Sequence, residues 1–319
     1  MLCIKSQTTN PYLNIAAEEH LLKSYSDDIF FLYRNEPSVI VGKHQNTVAE
    51  IDADFAERNG ITVVRRLSGG GAVYHDLGNL NFCFVKNGSE GNLVDFKAFT
   101  RPVIEALQQI GVHAKHEGHN SLLVNGRKIS GNAEHVFKNR VLHHGTLLFS
   151  TNLEQLARVL YVDLDRFSDK AVKSVRANVV NLIDLIEPKL DELTFSNHIF
   201  DSIKAMNAHS REHSFSENDL EAIHRLAKEK FSTWEWTFGY SPAYSFTRKV
   251  DVGDEVFRAT FWVEKGVIVR LDFAERTSRS EDIIGFFVGQ QHSKPKLFER
   301  YRSGNYGGNT MVKRILESL

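Results

Sequence analysis

Cysteine is nearly absent from this sequence: two in 319 residues, Cys3 near the start and Cys83 inside the apolar run Phe82-Cys83-Phe84-Val85. No disulfide framework can be read from that pair. An excess of one charge is missing too. The formal net charge is -1, so the global field advertises neither a nucleic-acid binder nor a protein that coats anionic membranes. No window reaches the roughly 18 apolar residues that a spanning helix requires. The start, Met1-Leu2-Cys3-Ile4-Lys5, lacks the basic region and long apolar stretch of a secretory leader. The expectation is a soluble, cytoplasmic protein with no nucleic-acid or membrane partner. Internal repeats and low-complexity segments are absent as well. So is any Gly-x-x-x-x-Gly-Lys-Ser/Thr run, which leaves P-loop ATP chemistry unsupported, and any Gly-x-Ser-x-Gly elbow, which weakens a hydrolase reading.

What remains is an ordinary globular composition, 42% hydrophobic and 25% charged, long enough for one large or two unequal domains. Asn10-Pro11 followed by Leu13, Ala17 and Leu21 predicts a capped helix with a buried apolar stripe. Ile29 to Tyr33 and Ser38 to Val41 read as strands around the turn signal Asn35-Glu36-Pro37. A short helix from Ile51 to Asn59 closes at Gly60, and a strand over Ile61 to Val64 runs straight into Arg65-Arg66-Leu67-Ser68-Gly69-Gly70-Gly71. Another strand, Asn79 to Val85, lies behind the glycines. Phe96, Phe99, Val103, Leu107 and Ile110 recur at helical steps before Gly111. Ser121 to Val124, Asn125-Gly126 and Arg127 to Ser130 form a hairpin pattern, since Asn-Gly accepts the positive φ of a type I′ turn. Strand then continues over Arg140 to Phe149 and helix over Leu153 to Leu160. Beyond Trp234 and Trp236, Glu255 to Val263 and Gly266 to Phe273 read as a hairpin around Glu264-Lys265, with helical patterns near Asp282 to Val288 and Asn309 to Leu319. A domain boundary is placed near residue 241.

Three consecutive glycines between strands carry a large entropy cost, which the fold offsets only where a Cβ would be forbidden or where loop N–H groups cradle an anion. The bland alternative is a bulge that shapes a turn. The flanks, Arg65, Arg66, Ser68 and His75-Asp76, concentrate donors and a titratable pair around this loop, and arginine suits bidentate capture of carboxylate or phosphate. In Gly126-Arg127-Lys128-Ile129-Ser130-Gly131, strand alternation turns Lys128 and Ser130 one way and Arg127 and Ile129 the other. Lys128 is then a point charge able to hold a carboxylate and a phosphate together, or one more solvated lysine. His143-His144 sits in an apolar strand, so one of the two must face inward. With His113, His116 and His119 upstream a zinc site suggests itself, but the Cys or carboxylate partners of a closed site are missing.

The run Arg65-Arg66-Leu67-Ser68-Gly69-Gly70-Gly71-Ala72-Val73-Tyr74-His75-Asp76-Leu77-Gly78-Asn79 resembles the lipoate-binding loop of lipoate-protein ligases nearly position for position. Further segments agree in order: Leu32 to Asn35, Val39 to Gly42 with Gln45-Asn46, Gly126 to Gly131, His143 to Leu148, and Ser174-Val175-Arg176 through Asn181. The resemblance implies an α/β protein of α+β type, with a large mixed-sheet catalytic domain of the biotin/lipoate ligase fold over 1–240 and a small C-terminal α/β accessory domain over 241–319. It implies adenylation of lipoate by ATP with Mg²⁺, then transfer of the lipoyl group to a lysine of lipoyl domains, the acceptors being E2 subunits of 2-oxoacid dehydrogenases or the glycine cleavage H protein. A lipoyl or octanoyl transferase using a preformed acyl donor is the alternative. By motif position, Arg66, Ser68, Gly69, Gly70, Gly71, His75 and His144 fall on the lipoate side. Arg66, Gly71, Ala72, Tyr74, Asn79, Asn120, Lys128, Ser130, Ser174, Val175, Arg176 and Val179 fall on the ATP or adenylate side, with Lys128 the catalytic cation. Ser121 stands where many relatives carry Asp, so no metal ligand is assigned.

Overall fold

The amide of Asn10 accepts from the N–H groups of Tyr12 and Leu13 at 2.9 and 3.2 Å, and Pro11, which has no N–H to satisfy, opens the first helix. In this computed structural model, which describes residues 1–88, 94–162, 166–175, 177–252, 255–274, 280–304, 306 and 308–319, the chain runs as follows. Strand β1 (Leu2–Lys5), helix α1 (Pro11–Ser24), β2 (Ile29–Tyr33), β3 (Ser38–Val41), α2 (Thr47–Glu50), α3 (Ala53–Arg58), β4 (Thr62–Arg65), β5 (Val73–His75), β6 (Asn79–Asn87) and α4 (Phe96–Gln108) come first. Then follow β7 (Lys115–Glu117), β8 (Ser121–Val124), β9 (Arg127–Phe137), β10 (Arg140–Leu148), α5 (Leu153–Val159), β11 (Phe167–Asp169), α6 (Glu192–Ala205), β12 (Arg211–Glu212) and α7 (Glu217–Leu226). The last elements are β13 (Tyr244–Val252), β14 (Glu255–Glu264), β15 (Val267–Phe273), α8 (Ser280–Phe287), α9 (Lys294–Ser303) and α10 (Thr310–Ser318).

Two compact units result. The first comprises Met1–Lys43, Ile51–Tyr161 and Lys173–Thr233; the second comprises His44–Glu50, Val162–Val172 and Trp234–Leu319. In the first, eight described strands form a mixed sheet in the order β12-β1-β2-β6-β10-β9-β8-β7, parallel among β12, β1 and β2 and antiparallel beyond. One face carries Phe30, Leu32, Phe82, Phe84 and Leu147 into a core with Val103, Ala106 and Leu107 of α4 and Phe195, Ile199, Phe200 and Ile203 of α6. A separate three-stranded sheet, β4-β3-β5, frames the glycine loop. The second unit packs the sheet β11-β13-β14-β15 against α8 and α10, with Phe246 stacked on Phe261 at 4.7 Å. No described helix is long and apolar enough to cross a membrane.

The turn Asn125-Gly126 has positive φ at both residues, 51° and 73°, as its sequence requires. The later hairpin turns one residue further on than its sequence suggests. Its positive-φ pair is Lys265-Gly266, and a Cβ on Gly266 would fall 2.2 Å from the Trp234 ring, so only glycine lets that ring pack there. Helix α1 departs from the expected apolar stripe. Asn14, Glu18 and Glu19 are buried along with Leu21, while Leu13 is only half-buried.

Candidate active site

Pairing register decides which face of the large sheet each strand residue presents. His144 pairs with Cys83 on β6 and Ala133 on β9, Thr146 pairs with Asn81, and Asn81 pairs with Tyr33 on β2. These residues share the face opposite the α4/α6 core. His143 pairs with Phe84 and Glu134 instead. It lies on the core face, stacked on Phe99 at 4.9 Å, with Nδ1 2.8 Å from Glu134 and Nε2 3.2 Å from Asn132. Burial holds its pKa well below the ordinary histidine value. Of the two adjacent histidines, then, His144 shares the face that Ser68 meets and His143 lies in the core.

The glycine loop is shaped by its own arginine. Both arginines are buried, but Arg65 reaches back to the carbonyls of Gly42 and Lys43, at 2.9 and 3.0 Å. Arg66 donates from Nε to Ser68 Oγ at 2.9 Å, from Nη1 to the Ile40 carbonyl at 2.9 Å, and from Nη2 to the carbonyls of Gly69 and Gly71. All but one of its N–H groups are therefore engaged by the loop and by β3. Burial brings its pKa down to about 10, which leaves it charged near neutrality. The loop can lie this close to β3 only because residue 42 is glycine: a Cβ there would sit 2.0 Å from the Gly70 carbonyl oxygen.

Ser68 continues the network inward. Its Oγ lies 2.6 Å from Nε2 of His144, whose Nδ1 lies 2.8 Å from Oε2 of Glu18 on α1. Oε1 of Glu18 accepts from the Tyr33 hydroxyl at 2.9 Å. His75 has a network of its own. The Asn14 amide nitrogen donates to the carbonyls of Thr8 and Arg34 and to Oδ1 of Asn35, which identifies that Asn35 atom as oxygen. The Asn35 nitrogen must then donate to His75 Nδ1, 3.0 Å away. His75 is thereby the neutral tautomer with hydrogen on Nε2, a buried donor with no partner among the described residues. Burial, with Arg66 and His144 nearby, pulls its pKa down to about 3.

Lys128 reaches this face through an irregularity. β8 pairs Leu122 with Ser130 but Leu123 with Lys128, so Ile129 is an extra residue and the strand bulges. The alternation expected from sequence, with Lys128 and Ser130 on one side, is corrected by that bulge. Ser130 accepts from Asn132 on the core face, and Ile129 enters the core. Lys128 lies over Gly131, where a Cβ would come within 3.3 Å of Nζ. Its ammonium has no hydrogen-bond or ion-pair partner among the described residues, and burial lowers its pKa. Its backbone is clamped: Lys128 N–H donates to the Asn178 carbonyl at 2.8 Å and Val180 N–H to the Lys128 carbonyl at 3.0 Å, a parallel bridge to Val179. The same segment touches the glycine loop, since Ser174 Oγ accepts from Ala72 N–H at 2.9 Å. Val175 is 90% exposed, and Arg176 lies outside the described residues.

Other sequence candidates are engaged elsewhere. The Tyr74 hydroxyl donates to Gln155 on α5 at 2.6 Å, and Asn120 exchanges bonds with Asn132. Asn79 donates to Asn81 at 2.7 Å, leaving Asn79 Oδ1 and Asn81 Nδ2 buried without partners. The described residues contain no group of three or more His, Cys, Asp or Glu side chains able to hold a metal. Sequence reasoning missed Glu18, Tyr33, Asn14, Asn35 and Asn81. The available signal was two acids, Glu18-Glu19, inside an otherwise apolar helical run.

Known proteins resemble this chain in sequence and in fold. The family model described as lipoyl protein ligase A/B catalytic domain matches residues 10–204. Lipoate-protein ligase LplJ of Bacillus subtilis is 43% identical, over 100% of both chains. A crystal structure of lipoate-protein ligase A bound with ATP superposes with a TM-score of 0.65 at 28% identity, covering 75% of this chain and 98% of that one. A bipartite lipoate protein ligase of Thermoplasma acidophilum, studied with its E2 lipoyl domain, has a TM-score of 0.65 at 28% identity, covering 75% and 96%.

Proposed function

Because this chain belongs to the lipoate-protein ligase family and is a ligase acting on lipoate, we propose that it joins lipoate to AMP at the glycine loop and then transfers the lipoyl group to a lysine of a lipoyl domain. The observation that carries the reading is Lys128: a half-buried cation with no counter-charge among the described residues, turned by a bulge onto the face that holds His144 and fastened beside Gly131. A site with such a cation favours an anionic substrate.

In the first step a lipoate carboxylate oxygen attacks the α-phosphorus of ATP, the bond to the β-phosphate oxygen breaks, and pyrophosphate leaves. Negative charge grows on the α-phosphate oxygens, and Lys128 is the fixed donor placed to stabilise it. Arg66, committed to its own loop, contributes chiefly by holding Ser68 to Gly71 so that their N–H groups face the anion. His75 and His144 line the acyl side. In the second step the acceptor lysine, as a free amine, attacks the acyl carbon and AMP departs with the anhydride oxygen. The mixed anhydride must be shielded from water meanwhile, a role we give to Ser174, which meets Ala72, and to residues 177–181, of which Asn178 and Val180 meet Lys128. Tyr74, Asn120 and Ser130 act through the framework that holds these groups, and Asn79 with Asn81 offers the nucleotide an acceptor and a donor.

Mg²⁺ in this reading enters with ATP, as part of the substrate. The catalytic portion lies within residues 1–240 and the accessory portion within 241–319 in this proposal. The acceptors are lipoyl domains of E2 subunits or the glycine cleavage H protein, met in the cytoplasm. The test is incubation of purified protein with ATP, Mg²⁺ and lipoate, followed by mass spectrometry. Lipoyl-AMP should accumulate and disappear when a lipoyl domain is added. Absence of the adenylate under these conditions would overturn the reading.

A further inference from the structure

We propose that Glu18, on helix α1 and outside every motif of the glycine loop, is a positioning residue that holds this loop through the ring of His144. The inference rests on the ligase reading above and adds to it a residue remote from the reacting atoms. Two donors converge on the Glu18 carboxyl: Tyr33 O–H at 2.9 Å and His144 Nδ1 at 2.8 Å. An ionised carboxylate can only accept. Nδ1 of His144 must therefore carry hydrogen, and in this arrangement Nε2 accepts. Ser68 O–H then donates to Nε2 at 2.6 Å, and its oxygen keeps a lone pair for Arg66 Nε–H at 2.9 Å.

Every hydrogen on this path points from the Arg66 cation toward the Glu18 anion. The two buried charges balance through Ser68 and His144 without touching. Without the carboxylate the ring could carry its hydrogen on Nε2 instead. The Ser68 oxygen would then accept from both Arg66 Nε–H and His144 Nε2–H, its own hydrogen would lose its acceptor, and the buried guanidinium would lack the Glu18 counter-charge. Because Arg66 also holds the carbonyls of Gly69, Gly71 and Ile40, the whole loop depends on which nitrogen of His144 is protonated.

Two measurements test this. Long-range ¹H–¹⁵N spectra of histidine-labelled protein report ring tautomers directly. The resonances lost in His144→Gln should show hydrogen on Nδ1 in the parent, whereas hydrogen on Nε2 would overturn the proposal. In single-turnover lipoyl-AMP formation, Glu18→Gln should lower the rate by on the order of 10-fold or more, the scale of a small misplacement of reacting groups. In a Ser68→Ala background, where the path is already cut, the same substitution should cost less than about twofold. Equal losses in both backgrounds would mean that Glu18 acts by another route. If Glu18→Gln does not fold, the tautomer of the parent still decides. A parent that forms no lipoyl-AMP would sink the ligase reading and leave the tautomer result standing, so the two failures are distinguishable.

Discussion

Lys128→Met separates binding from chemistry at a single side chain. Methionine keeps the aliphatic stem beside Gly131 and leaves the backbone bonds to Asn178 and Val180 intact, deleting only the ammonium. Lipoyl-AMP formation should fall on the order of 10² to 10³-fold, with lipoate affinity much less affected. Adenylation within about threefold of the parent would remove Lys128 from the centre of the mechanism. Stability should move the other way. Burial lowers the folded-state pKa of Lys128 below its unfolded value of 10.5, so below the folded value the charged lysine costs stability, and the loss is recovered as pH rises toward 10.5. Lys128→Met should thus melt no lower than the parent at neutral pH, and its advantage should shrink in alkaline buffer. At this scale the motif residues were legible in the sequence, but their partners were not. Ser68, His144, Arg66 and Tyr33 stand in recognisable runs, whereas Glu18 joins them only after α1 folds across the sheet. Pairing over such separations leaves no mark on local spacing.

Elements whose signals are local came out as their sequence suggested. The Asn10-Pro11 start of α1, the amphipathic α4 and the Asn125-Gly126 turn each follow from a few adjacent residues. The bulge at Ile129 did not, because it depends on how β8 registers against β9, and it reverses the side from which Ser130 is read. Helices α7 and α9 bury one residue each, Ile223 and Leu297, so neither shows a stripe to recognise. Helix α6 does carry one, Phe195, Ile199, Phe200 and Ile203, a signal that sequence reasoning passed over. The end of β3 offers a sharper test of packing. In Gly42→Ala the methyl group meets a backbone carbonyl, not the far end of a side chain, and one of the two segments must shift. Thermal and chemical denaturation should show a loss of about 1–3 kcal/mol, the usual range for overpacking. Adenylation should fall further than stability alone explains. A variant with parental melting and activity would show that the loop does not rest on β3 as described.

Across the whole molecule, neutral buried histidines set the response to acid. His75 and His143 lie in the first unit, and His292, stacked on Phe246 and bonded to the Tyr244 hydroxyl, lies in the second. Burial lowers all three, His75 and His292 to about 3. Since the unfolded chain takes up protons near 6.5 and the folded chain does not, stability is full above that pH and declines as pH falls toward 3. A loss on the order of a few kcal/mol by about pH 4 is expected from denaturation curves, with a flatter profile for His292→Gln. A pH-independent midpoint between 7 and 4 would contradict the buried neutral state.

Activity of the intact enzyme is judged most directly by exchange of labelled pyrophosphate into ATP. Reversal of the first step requires lipoate, ATP and the assembled site, and no acceptor protein. Exchange that appears only when lipoate is present, and is nearly abolished by Lys128→Met, is the expected result. Transfer from supplied lipoyl-AMP to a lipoyl domain with no such exchange would contradict it, showing an enzyme that receives an activated acyl group but does not make one.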